Sequence, residues 1–158
     1  MSFPTAVRLQ PEVGVPGTRA SMNPISVISR IAQSAVTVAR FVWPGTDTDN
    51  QVQNTGTGAP LGLAITDQVG VIPNYLAEYS MQVPAGFPVQ VAEQGEYFAS
   101  SANAATLGQK VFATLADGTL QFGAAGATIT GAVETPYVVT RGGAANAVIK
   151  ISTWSNLA

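Results

Sequence analysis

The chain has 158 residues, of which 46% are apolar and only 10% charged, with a formal net charge of −2 and neither cysteine nor histidine. Those absences remove disulfides, thiolate metal sites and the commonest general base, and with them the Ser-His-Asp and Cys-His nucleophile arrangements. The length suits one domain with a core of its own, and a chain this poor in charge points to cover by other protein, the alternative being a monomer with a Ser/Thr/Asn/Gln/Gly surface.

Residues 1–24 differ from the rest. Pro4, Pro11, Pro16 and Pro24, with Gly14 and Gly17, interrupt any helix and favour extended or turned backbone. The apolar residues Phe3, Val7, Leu9, Val13 and Val15 are spaced irregularly, and their number exceeds what a solvated tail usually carries. We read residues 1–24 as an extended arm that orders on a partner surface, and residues 25–158 as the β domain; the alternative is a disordered tail. The stretch MSFPTAVRLQPEVGVPG lacks the apolar core of a secretory signal, and no run approaches the ~18–20 apolar residues of a transmembrane helix. Synthesis in the cytoplasm, with no membrane partner, is expected.

Charge separates arm from body. Residues 1–40 carry Arg8, Arg19, Arg30 and Arg40 against Glu12, whereas the remainder carries Lys110, Arg141 and Lys150 against eight carboxylates. Arginines this scattered, with little aromatic interleaving, are a poor nucleic-acid signature, so no nucleic-acid partner is expected. An acidic protein surface suits Arg8 and Arg19 better.

From Ile25 to Trp43, Val27, Ile28, Ile31 and Ala32 allow one or two helical turns, and a strand is expected from about Ser34 through the β-branched and aromatic run to Trp43. Pro44 to Pro60 has almost no large apolar residue and reads as a long loop. Strands follow at Gly62–Thr66 and, flanking Pro73-Asn74, at Val69–Leu76 and Ser80–Val83. Beyond Phe87, short apolar runs recur, each closed by Gly or a small polar turn: Pro88–Ala92, Tyr97–Ala99, Lys110–Thr114, Leu120–Phe122, Thr128–Val133, Tyr137–Val139 and Ala147–Ile151. Several alternate with the period of a half-buried strand. Asp117-Gly118 between two such runs is the strongest hairpin signal in the chain, and Arg141-Gly142-Gly143 reads as another hairpin turn.

Few side chains could carry chemistry. Asp47-Thr48-Asp49-Asn50 could be imagined around a hard cation, but it lacks the glycine and closing glutamate of an EF-hand loop and reads as a solvated turn. Glu93 and Glu96 flank a Gln-Gly turn and read as exposed rather than as a glycosidase pair. Substituting either acidic cluster is expected to leave stability nearly unchanged. No catalytic residue, metal ligand or cofactor site is expected. Trp43 and Trp154 suit either a core or an interface anchor.

The cadence of Phe87–Trp154 resembles a known family. A strand ending in Gly-Glu, then Leu-Gly-Gln-Lys-Val-Phe with Asp-Gly soon after, then Ile-Thr-Gly-Ala-Val-Glu-Thr and a closing Val-Ile-Lys-Ile-Ser, is similar to the capsid cement (decoration) proteins of tailed bacteriophages. The resemblance implies a non-enzymatic structural protein on the outer surface of the virion, bound to the major capsid protein and bridging capsomers, as a homo-oligomer with a trimer favoured over a dimer. The residues assigned to that partner interface are Phe3, Val7, Arg8, Leu9, Val13, Val15 and Arg19. The fold expected is all-β, a single β-barrel or jelly-roll-like sandwich behind the arm. A receptor- or carbohydrate-binding β module of a phage tail or cell surface is the alternative, and it should show an exposed aromatic platform.

Overall fold

Every regular element in the computed structural model, which describes residues 14–66 and 81–157, is a β-strand. They are β1 (Ser26–Ala32), β2 (Val36–Thr37), β3 (Phe41–Pro44), β4 (Gln51–Gln53), β5 (Gly62–Ile65), β6 (Gln82–Val83), β7 (Pro88–Gln94), β8 (Glu96–Ser100), β9 (Lys110–Thr114), β10 (Leu120–Gly123), β11 (Ala132–Arg141) and β12 (Val148–Ser152). The all-β expectation holds. The strand expected over Val69–Leu76 lies outside the described residues.

Five strands close a barrel in the order β1-β4-β3-β5-β7, and five more form a sheet in the order β10-β9-β11-β12-β8; β2 and β6 make a small ribbon. Every barrel strand sends a small side chain into one apolar cluster: Ala32, Val52, Val42, Ala64, and Val89 with Val91. This is the barrel interior, and its small residues suit a barrel of five strands. The opposite faces of β3, β5 and β7 carry Phe41, Trp43, Leu63, Ile65 and Ala92 into a second cluster, shared with Tyr97, Val111, Leu120, Tyr137, Val139, Ile149 and Ile151 of the sheet. Buried on both faces, β3 and β5 read as continuous apolar runs rather than as alternating ones.

Two bonds and an aromatic pair lock the sheet to the barrel. The Tyr137 hydroxyl donates to the Ala92 carbonyl at 3.1 Å, its ring meets Phe41 edge-on with centroids 5.8 Å apart, and the Phe41 N–H donates to the Gly118 carbonyl at 2.8 Å. Burial, and then the nearby Tyr97 and Glu93, push the Tyr137 hydroxyl well above its ordinary range.

Several local expectations are corrected. Residues 26–32, where helical spacing competed, form β1, because β7 pairs with them from Ser26↔Gln94 to Ile31↔Pro88. The run from Ser34 to Trp43 is broken into β2 and β3 by a turn at which Ala39 takes φ 61°. The 44–60 loop contains β4, which pairs in parallel with β1 and antiparallel with β3 and buries Val52 completely. Tyr137–Val139 and the end of Thr128–Val133 merge into β11, where the register shifts between Glu134 and Val138. Pro136, which lacks an N–H, sits within that irregularity. There the Thr135 hydroxyl donates to the Val111 carbonyl and accepts from the Tyr137 N–H. The Asp117-Gly118 hairpin forms as expected, with Leu120 opposite Ala113.

Candidate partner-facing surface

The last part of the expected arm is tied to the body. Val15-Pro16-Gly17-Thr18 is a turn closed by the Thr18 N–H on the Val15 carbonyl at 3.1 Å, with Gly17 at φ 86°. Proline then glycine at its centre is the pattern a type II turn requires. Beyond it the chain runs beside the outer edge of β8: Gly17 N–H to Phe98 carbonyl, Phe98 N–H to Thr18 carbonyl, and Ala20 N–H to Glu96 carbonyl, at 2.8 to 2.9 Å. Covering a sheet edge in this way removes a site of unwanted pairing.

Side chains reinforce the tie. Glu96, only 12% exposed, pairs with Lys150 at 3.3 Å and accepts from the Asn23 amide at 3.2 Å. Arg19 donates to the Asn23 carbonyl at 2.7 Å, and the Trp154 indole donates to the Pro24 carbonyl at 2.9 Å. Glu96 is therefore a junction between the N-terminal segment and β12, which corrects its reading as an exposed residue. Glu93 is exposed and accepts a bond from the Ser26 hydroxyl.

Of the seven residues assigned to the arm interface, Phe3, Val7, Arg8, Leu9 and Val13 lie outside the described residues. Val15 is 55% exposed at the turn, and Arg19 is held on Asn23 beyond it. Gly14 lies against the Phe98 ring with no room for a side chain. Residues 17–20, the end of the expected arm, are thus hydrogen-bonded to the edge of the sheet.

Beside this segment is a cleft of about 650 Å³. It is lined by Val15 and Pro16, the β2–β3 connection through Val38, Ala39 and Arg40, Met81, the end of β8 through Asn103, the β9–β10 turn and start of β10, and Asn146. Arg40 and Asp117 in its lining pair at 3.5 Å, and the Ser101 hydroxyl donates to the Leu120 carbonyl at 2.7 Å. The two non-glycine residues with left-handed backbone among those described, Ala39 and Asn146, both line this cleft. No local sequence signal marks it, because its described lining comes from six separated stretches of chain.

The remaining candidates resolve simply. Asp47 accepts bonds from the Asp49 N–H at 3.1 Å and the Asn50 amide at 3.0 Å, and these hold its carboxyl below the usual range. That is an Asx-type turn. Trp43 is a core residue, 2% exposed, with its indole donating to the Gly58 carbonyl. Trp154 is 49% exposed.

Comparison with known proteins follows the same line. The model of the XM1 gp53 minor capsid protein family matches residues 3–153. The chain belongs to that family, and so to the structural proteins of phage capsids, located in the virion. Among solved structures it is similar to a chain of the capsid of Myoviridae phage XM1, at 20% identity and TM-score 0.62, over 97% of this chain and 98% of that one. It is also similar to the head fiber gp8.5 N base of bacteriophage phi29, at 14% identity and TM-score 0.47, over 82% and 93% of the two chains. No curated protein matches the chain.

Proposed function

We propose that the protein is a capsid cement protein that binds the outer face of the assembled major capsid protein shell and stabilises the head by bridging capsomers. The observation that carries this reading is membership of a minor capsid protein family across residues 3–153. In support, residues 17–20 are hydrogen-bonded to the edge of β8, and the chain is charge-poor. Arm residues Phe3, Val7, Leu9 and Val13, with Val15 at the turn, supply apolar contact, each worth roughly 1.5–3 kcal/mol when fully removed from water. Arg8 and Arg19 supply salt-sensitive contacts to acidic groups.

The mechanism is mass-action linkage. A protein that binds the closed shell and not loose subunits stabilises the shell by its binding free energy, about 2.7 kcal/mol per site at a hundredfold excess over Kd. A homo-oligomer, a trimer before a dimer, places several arms on neighbouring capsomers and multiplies the effect. The role is structural rather than enzymatic. A glycan-binding reading needs an aromatic platform, and the described residues lining the cleft include no aromatic ring.

Co-sedimentation with heads that lack the protein tests the reading. Saturable attachment to intact shells, with little binding to free capsid subunits, is the expected result. Shells that stay bare at micromolar protein contradict it.

A further inference from the structure

We propose that the cleft beside the end of the expected arm is a slot for an extended, uncharged segment of the shell protein. This rests on the cement reading and names the second contact that such a protein makes. Three observations converge on the cleft. Its volume, about 650 Å³, is large enough for several side chains of a peptide. Ala39 and Asn146, the described non-glycine residues with left-handed backbone, both line it; such strain collects where a binding surface must be held in one shape. Val15 and Pro16, the first described residues after Gly14, are part of its lining, so the slot adjoins the segment proposed to touch the shell.

The lining selects the occupant. Val15, Val38, Met81 and Leu120 are apolar, while Asn103 and Asn146 bring side-chain amides that can each donate to and accept from a main chain. The charged groups among the described lining residues, Arg40 and Asp117, already pair at 3.5 Å, and a charged ligand would have to compete with that pair. A helix satisfies its own main-chain groups, so amides that pair with main chain suit an extended segment. The Leu120 carbonyl on the β10 edge is taken by Ser101, so side-chain amides, not strand pairing, hold the segment.

The test uses the full chain and undecorated heads. A photo-crosslinking residue at exposed Asn103, and separately Ala102→Trp to fill the slot, are compared with wild type, and melting temperature confirms that each folds. The expected results are a crosslink from position 103 to the shell protein and attachment of Ala102→Trp weakened at least tenfold. Wild-type attachment with a crosslink only to a second copy, or with none, overturns the slot and leaves the cement reading standing, as does Ala102→Trp decorating heads as tightly as wild type. Bare heads with wild-type protein overturn both.

Discussion

Gly118 and Phe41 meet backbone to backbone. The Phe41 N–H donates to the Gly118 carbonyl at 2.8 Å, and a Cβ on Gly118 would lie 2.1 Å from the Phe41 carbonyl oxygen. The tip of the β9–β10 hairpin is thus pressed onto β3, which joins the open sheet to the barrel across their shared core. Gly118 also takes φ 70°, a conformation that costs an ordinary side chain about 1–2 kcal/mol.

Gly118→Ala therefore meets two penalties, left-handed strain and a clash with main chain that cannot swing aside. A loss of at least about 2 kcal/mol is expected, read as a lower urea midpoint. An unchanged midpoint would mean that the hairpin tip lifts freely off the barrel.

Tyr137 gives the account a pH signature. The unfolded chain releases a tyrosine proton near pH 10, while burial in the folded state holds it to higher pH. Above pH 10 the unfolded state binds fewer protons than the folded state, so stability present below that pH falls as pH rises, by up to about 1.4 kcal/mol per unit for this group. Tyr137→Phe should cost about 1–2 kcal/mol at pH 7, leaving the Ala92 carbonyl without this donor, and should flatten the decline between pH 10 and 11.5. Parallel urea titrations of both proteins across that range check it; identical slopes would contradict the assignment.

Glu96→Gln and Glu93→Gln, three residues apart, should separate cleanly. Glu96 holds Lys150 and Asn23 at a largely buried junction, so its loss should cost about 1–2 kcal/mol. Glu93 is exposed and should change stability by less than about 0.5 kcal/mol. Thermal melts of the two variants decide between this and a uniformly dispensable pair.

What the sequence made legible was local. Asp117-Gly118 announces its hairpin because a tight turn needs positive φ, and the alternation in Val148–Ile151 announces a strand because one face is wet. β1 was ambiguous because Val27, Ile28, Ile31 and Ala32 satisfy helical spacing; only pairing with β7, some sixty residues away, decides it. β4 was hidden because Val52 alone, between two glutamines, enters the core. The left-handed turn at Ala39 has no signal, since alanine does not favour that backbone. The cleft is illegible for the same reason as β1: Arg40, Asn103, Asp117 and Asn146 become neighbours only through the fold. Within the N-terminal segment, proline and glycine content correctly marked turned backbone at residues 15–18, but pairing of 17–20 with β8 depends on an edge that the sequence does not display.

That pairing divides the N-terminal segment for experiment. Deleting residues 2–13 should leave the melting temperature almost unchanged and weaken attachment to heads severely. Deleting 2–20 also removes the backbone bonds to Phe98 and Glu96 and should lower the melting temperature by several degrees. Two truncations with equal stability would make 17–20 a dispensable cover; a 2–13 truncation that decorates heads normally would make the arm only a tail.

The central claim, that the protein strengthens the shell, is tested most directly by melting undecorated heads in the presence of increasing protein, with capsid opening followed by release of a DNA-binding dye. Linkage predicts that the opening temperature rises and keeps rising with the logarithm of free protein once sites begin to fill. An opening temperature that stays constant while sedimentation shows the heads fully coated would contradict the claim.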